Sequence, residues 1–281
     1  MSDPVLQHPF FRPDAAPQFR QPPGTPYFLR ADSDLGRLVG DPGLAGDWAE
    51  KQAQLMRWTR DSAMFNEAEV MFINRMYEGY FAKRGFLRGN VLDIGGGWGL
   101  FRQWWRPEGE QAFVVHDPGT ERFMAQPPPT LKKVYADGLA RSVRFVEGFG
   151  EELPYLNGCF DLVLIASALD HCADPVRVLA ETRRVLRPGG TLMVIQGFDA
   201  EPGEPRRPGT DLGSRLARVL SDPRRLYRAV KQRILHRGEP HIHHFTRNQL
   251  VNLVAEAGFF NCRETVLERT HGVSVFEAGR P

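Results

Sequence analysis

Three groups of residues in this 281-residue chain have types and spacings that could do chemistry. The first is the run Val91-Leu92-Asp93-Ile94-Gly95-Gly96-Gly97-Trp98-Gly99. A buried β-type run enters a glycine-dense turn, where backbone can come close to a ligand and adopt positive φ. A dinucleotide site wants G-x-G-x-x-G. Counted from Gly95 the third glycine falls on Leu100, and counted from Gly97 it falls on Arg102. Neither register fits, whereas Asp-x-Gly-x-Gly-x-Gly does, over Asp93, Gly95, Gly97 and Gly99, with Gly96 between. The second group is Ala168-Leu169-Asp170-His171, after a strand-like run. Histidine is well matched to general-base work near neutral pH, and Asp170 could orient it or take the proton itself. The third is His241-Ile242-His243-His244, which invites a metal but has no obvious carboxylate beside it. No metal is assigned. Contact with a substrate, a base at a pocket mouth (His241 or His244), and plain surface histidines stay open.

Such groups need a scaffold. Short β-branched runs recur at 90–94, 112–117, 143–148, 161–167 and 191–197. Those at 112, 161 and 191 are apolar on both faces, as strands inside a parallel sheet are. Between the last two, residues 174–190 have helical spacing and close on Pro188-Gly189-Gly190. Alternating strands and helices predict a doubly wound α/β architecture. Thr246 and Gln249 form a capping-box pattern for a helix ending near Gly258, and two final strands at 262–268 and 273–278 close the sheet edge.

Upstream, residues 1–30 are rich in proline and aromatics, which excludes a long helix or a central strand. A disordered tail and an arm laid over the core are the two readings. The cost of leaving Phe10, Phe11, Phe19, Tyr27 and Phe28 in water is the argument for the arm. Residues 47–84 have helical periodicity and read as two helices ending near Gly85. The division expected is an arm and helical cap over 1–86 and a ligand-binding domain over 87–281. A basic amphipathic helical insertion interrupts the domain at 201–240. That insertion reads as a lid with a solvated face. A phosphate- or carboxylate-bearing substrate and an anionic membrane surface are its functional options. No recognisable nucleic-acid-binding module accompanies it.

Apolar residues make up 42% and charged residues 25% of the chain, and net charge is +2, which is no polyanion binder's balance. Three cysteines without C-x-x-C spacing argue against a disulfide framework or a zinc knuckle. With no cationic start leading into an apolar run and no membrane-length apolar stretch, a cytoplasmic location is expected.

The Asp93–Gly99 pattern resembles motif I of the class I methyltransferases that use S-adenosylmethionine (SAM). The likeness continues through His116-Asp117, where the family keeps an acidic residue for the ribose, and through Glu147 to Tyr155. It continues in Gly158-Cys159-Phe160-Asp161, in Arg184 to Gly190, and in a tail, Phe245 to Phe259, similar to the ubiquinone and menaquinone methyltransferases. It covers roughly 88–200 and 241–280. It implies a Rossmann-like, seven-stranded, mostly parallel sheet, SAM as cofactor and a small-molecule acceptor, and it leaves oligomerisation open. It places Asp93, Gly95, Gly96, Gly97, Gly99, Asp117, Phe149, Gly150 and Ala168 around the cofactor. Asp93 would organise the loop and approach the cationic end of SAM, or simply cap the turn. Asp117 would bind ribose, or serve as a turn residue of Asp117-Pro118-Gly119. Trp98 packs in the core or lines the methionine portion. Where the family has an acidic residue near adenine this chain has Phe149, so stacking plus backbone contacts, or Glu151, would take that role. Candidate catalytic residues are His171, Asp170, His241 and His244, with mere lining of the pocket the alternative for His171.

Overall fold

The computed structural model describes residues 10–15, 18–23, 27–30, 35–60, 67–123, 127–198, 241–267 and 273–281. The expected insertion at 201–240 lies outside the described residues. Three helices come before the central strands of the sheet: α1 (Leu35–Val39), α2 (Pro42–Arg60) and α3 (Glu67–Arg84). In α3, Glu67 and Glu69 sit in the first turn and Lys83 and Arg84 in the last, each sign matched to the helix dipole.

The sheet strands are β1 (Phe19–Arg20), β2 (Tyr27–Arg30), β3 (Val91–Ile94), β4 (Phe113–His116), β5 (Arg144–Val146), β6 (Phe160–Ala166), β7 (Leu186–Gly197), β8 (Phe260–Val266) and β9 (Val273–Gly279). Their order is β1-β2-β5-β4-β3-β6-β7-β9-β8, nine strands where seven are expected. The five from β5 to β7 run parallel, as does β2 beside β5. β9 runs antiparallel to β7, and β8 to β9. The two extra strands come from the proline-rich arm. Proline excludes that segment from the sheet centre, but an edge needs few amide donors, so β1 and β2 are short and lie at one end.

Side chains alternate across this sheet, and each face has its own core. Leu92, Val114, Val163, Ile165, Leu192, Val194 and Phe276 point to one face, with α7 (Pro175–Val185) and α8 (Arg247–Glu256). Val91, Phe113, Val115, Leu162, Leu164, Met193, Ile195 and Val275 point to the other, under α3 and α5 (Pro129–Val134). Two short helices, α4 (Thr120–Phe123) and α6 (Ala136–Leu139), complete the connections. The Asp174 side chain accepts from the Arg177 N–H at 3.0 Å to start α7, and Pro175 opens the helix. The Thr246/Gln249 capping box starts α8. The segment after the glycine loop is a 3-10 helix, Leu100–Trp104, rather than an α-helix. Its indole, Trp104, is buried against α3, where it stacks on Phe81 at 5.0 Å.

Phe10, Phe11, Phe19 and Phe28 of the arm are buried. Phe11 stacks on Phe19 at 4.9 Å and on Tyr155 at 5.8 Å and meets the edge of Phe28, while Phe10 packs on Phe160. This cluster makes the arm part of the core. We expect Phe11→Ala to cost about 3 kcal/mol in urea unfolding, in the range for truncating a buried aromatic. A value under about 0.5 kcal/mol, the scale of an exposed substitution, would contradict that placement.

Candidate functional site

The site stands at the C-terminal ends of β3, β4 and β6, where an open α/β sheet leaves its crevice. Asp93 is the third residue of β3 and is fully buried. Neither of its carboxylate oxygens has a hydrogen-bond partner among the described residues. Burial, and then the neighbouring Asp117 carboxylate, pushes its pKa well above the usual range. Gly96 lies directly over it, and a Cβ there would come within 2.4 Å of the Asp93 carboxylate. Gly95 holds φ +68°, and a Cβ on it would meet the Ala168 Cβ at 2.4 Å. The loop therefore rests on the turn after β6 with no room for a side chain between.

Asp117 follows β4 and spans this loop. Its Oδ2 accepts from the Gly97 N–H at 3.0 Å and its Oδ1 from the Gly119 N–H at 2.7 Å. The twenty-residue separation of Gly97 and Asp117 in sequence is thus bridged by one hydrogen bond. Burial raises the Asp117 pKa and the two amide bonds oppose the rise. A carboxylate has about four lone-pair sites, so two remain for hydroxyl donors. The preceding residue, His116, is buried between the Tyr155 hydroxyl at Nδ1 and the Phe149 carbonyl at Nε2, both at 3.1 Å. Because that carbonyl can only accept, Nε2 carries the proton and Nδ1 accepts from Tyr155. Burial lowers the His116 pKa to about 4, so the ring is neutral and fixes the backbone at Phe149.

A cavity of about 110 Å³ opens among these residues. Gly95, Asp117, Phe149, Gly150, Ala168 and His171 line it together. Asp93 does not line it, and Gly96, Gly97 and Gly99 build the loop at its edge. Glu151 also reaches the wall, but its Oε1 accepts from the Ala173 N–H at 2.7 Å and the Asp174 N–H at 3.2 Å, ordering the entry to α7. Trp98 packs edge-on against Phe123 at 4.9 Å.

Asp170 and His171 occupy a 3-10 turn, Leu169–His171, after β6. His171 stacks on His241 with ring centroids 4.7 Å apart, and His244 stands 6.1 Å from His241. The four candidate catalytic residues, distant in sequence, therefore lie together. The segment carrying the histidines is held by two amides, Ile242 N–H and His243 N–H, that donate to the Asp170 carbonyl at 2.9 and 3.1 Å.

Sequence reasoning missed the roof. Trp48 and Gln52 of α2 both donate to the His171 carbonyl, at 2.9 and 3.3 Å, and both line the cavity with Leu55. Trp48 also meets Phe149 edge-on at 5.1 Å, and Leu35 and Leu38 of α1 join that cluster. The available signal was that Trp48 and Gln52 are four residues apart and so share one helix face. The larger groove of about 870 Å³ between α3 and β8 lies apart from these residues.

Residues 92–194 match the family described as "Methyltransferase domain". The ubiquinone/menaquinone biosynthesis C-methyltransferase UbiE of Hahella chejuensis is 32% identical over 137 residues, which is 47% of this chain and 53% of that protein. The UbiE of Stutzerimonas stutzeri is 37% identical over 119 residues, 40% of this chain and 43% of that protein. The chain thus spans about half the length of the curated relatives it matches. A solved structure of a possible exported protein from Bordetella parapertussis is 16% identical, with a TM-score of 0.53 over 93% of this chain and 90% of that one; it shares the fold.

SAM is the cofactor such a domain takes, and the residues present fit it. A buried carboxylate without a partner suits a cationic ligand. The glycines leave no side chain on the loop backbone at the cavity edge, and Asp117 keeps acceptor sites for hydroxyls. The contact at Gly95 yields a direct expectation. Gly95→Ala adds about 1–2 kcal/mol for left-handed backbone to a clash with Ala168. It should weaken S-adenosylhomocysteine binding at least tenfold by calorimetry, and unchanged affinity would contradict the close approach. Residues 92–194 thus match a methyltransferase domain, on a fold shared with a solved structure, and that stretch is similar to the ubiquinone/menaquinone C-methyltransferases.

Proposed function

We propose that the protein is a SAM-dependent methyltransferase that moves a methyl group to an oxygen or carbon of a small-molecule acceptor of the secondary-metabolite, quinone-like, isoprenoid or phosphorylated kind. The observation that carries the reading is the single cavity walled by Gly95, Asp117, Phe149, Gly150, Ala168 and His171. SAM, when bound, supplies a methyl group on a positively charged sulfur. Everything else falls to the chain. Asp117 accepts hydroxyl hydrogen bonds, the Phe149 ring and backbone hold the base, and Asp93 balances positive charge beneath the loop. The helical cap, through Trp48 and Gln52, excludes water from the reacting centre. An in-line approach of about 3 Å is the main catalytic requirement, so alignment outweighs any single group. Asp170, His171, His241 and His244 stand where an acceptor that must lose a proton would meet them.

A C-methyltransferase acting on a quinone precursor is the acceptor class that the relatives' names favour. A non-catalytic scaffold that binds SAM and an RNA methyltransferase are the other readings. Among the described residues no helix is long and apolar enough to cross a membrane. Peripheral membrane contact is a proposal that rests on the basic stretch at 201–240.

The test pairs binding with turnover. The full chain, given methyl-labelled SAM and extracts fractionated into quinone, isoprenoid and RNA pools, should label a small-molecule fraction. His171→Ala should lower kcat while S-adenosylhomocysteine affinity changes less than threefold. Tight binding with no labelled product in any pool would favour the scaffold, and salt-sensitive labelling of RNA would favour the third reading.

Asp93 gives a second expectation with a worked sign. An aspartate titrates near 3.9 in an unfolded chain, and in the folded protein the value is raised. The folded form therefore binds more protons, and stability falls as pH rises above about 4 toward the folded value. Asp93→Asn removes that charge, so at neutral pH its Tm should be no lower than the parent's. The same variant should bind SAM at least tenfold more weakly, and SAM affinity of the parent should rise with pH. A destabilised variant with normal SAM affinity would show that Asp93 only caps the turn.

A further inference from the structure

The sequence offers no carboxylate beside the H-x-H-H run, but the fold brings one. Asp170 is 7% exposed, and its Oδ2 accepts from Gln196 Nε2 at 2.7 Å. Its Oδ1 is buried and accepts no hydrogen bond among the described residues. His171 Nε2 lies 3.9 Å from that Oδ1, and His241 Nε2 lies 3.5 Å from Oδ2. One donor atom from each of the three residues falls within 4.8 Å of the others.

The Asp170 carboxylate faces two imidazole rings, and its Oδ1 is left without a hydrogen bond among the described residues. Two imidazole nitrogens and one carboxylate oxygen are the donor set that holds a divalent transition metal ion with positions left open. Ligand bonds of about 2.0–2.2 Å place neighbouring donors roughly 3–3.5 Å apart; the His241–Oδ2 pair stands at 3.5 Å, and the His171–Oδ1 pair, at 3.9 Å, would draw in by a few tenths of an ångström on binding. The surroundings are built for it. Gln196 orients the carboxylate by donating to its Oδ2, as outer partners of metal ligands do. The His171 carbonyl is tied to Trp48 and Gln52, and the Asp170 carbonyl to Ile242 and His243, so both backbone segments are set before any ion arrives.

We propose that Asp170, His171 and His241 form a site for one divalent transition metal ion at the wall of the cofactor cavity. His171 belongs to both the cluster and the cavity wall. The ion would therefore face the acceptor, and the acceptor class it selects is one with an anionic or readily ionised oxygen, such as a phenol or an enol beside a carbonyl. Bound to the ion, that oxygen loses its proton to solvent more easily and its lone pair is directed at the methyl carbon. The new bond forms from oxygen, or from the ring carbon it activates, as the carbon–sulfur bond breaks and its electron pair returns to sulfur. Only this role rests on the methyltransferase reading, and the binding itself does not.

The experiment uses the full chain, stripped with a chelator and titrated with Co²⁺. One equivalent should produce d–d absorption bands, and Zn²⁺ should abolish them. His241→Ala and Asp170→Ala should each weaken Co²⁺ at least tenfold, and Gln196→Ala about tenfold, the usual effect of removing an outer partner. Calorimetry with S-adenosylhomocysteine on the same samples reports whether each variant is folded and judges the methyltransferase reading separately. Absence of the bands in the parent protein overturns the site, as do bands that persist undiminished in the three variants.

Discussion

The structure depends on one close approach. The turn leaving β3 lies against the turn leaving β6, with Gly95 over Ala168 and Gly96 over the buried Asp93. No side chain fits in either gap, so the backbone amides of the loop stay at the cavity rim. Asp117 then ties the loop to β4 through the Gly97 amide, and His116 ties β4 to the backbone of Phe149. Four strand ends are thereby locked to one another around a small space. The rest of the sheet, with its two apolar faces, serves to hold these ends in register.

The buried Asp93 shows the tension such a site carries. A carboxylate with no hydrogen bond among the described residues works against the ligand-free fold, because its charged form has lost water without that compensation. The same feature makes a positively charged ligand more welcome than any neutral one. Stability given up at a binding position is a recurring cost of function. Asp170 repeats the theme beside His171, where one oxygen is held by Gln196 and the other has no hydrogen bond among the described residues.

Much of the fold was legible because its signals are local. β-branched runs mark β3 to β7, Thr246 and Gln249 mark the start of α8, and the glycines mark the turn at the crevice. The residues Gly95, Asp117, Phe149, Gly150 and Ala168 could be picked from a resemblance because the loop and strand ends are contiguous in sequence. What stayed hidden is what requires a long-range meeting. Nothing near Phe19 or Phe28 announces an edge strand, since β1 and β2 owe their place to β5. The role of Trp48 and Gln52 exists only once α2 lies over the His171 carbonyl. The carboxylate partner of His241 was invisible for the same reason, as seventy residues of chain separate it from Asp170.

The central claim is that this loop cradles an adenosyl sulfonium and not a pyrophosphate. Equilibrium dialysis of the full chain against labelled SAM tests it most directly, with S-adenosylhomocysteine and NAD as competitors. The account predicts saturable retention of one SAM per chain, displaced by S-adenosylhomocysteine and untouched by NAD. Free passage of SAM, together with retention of the dinucleotide, would contradict it.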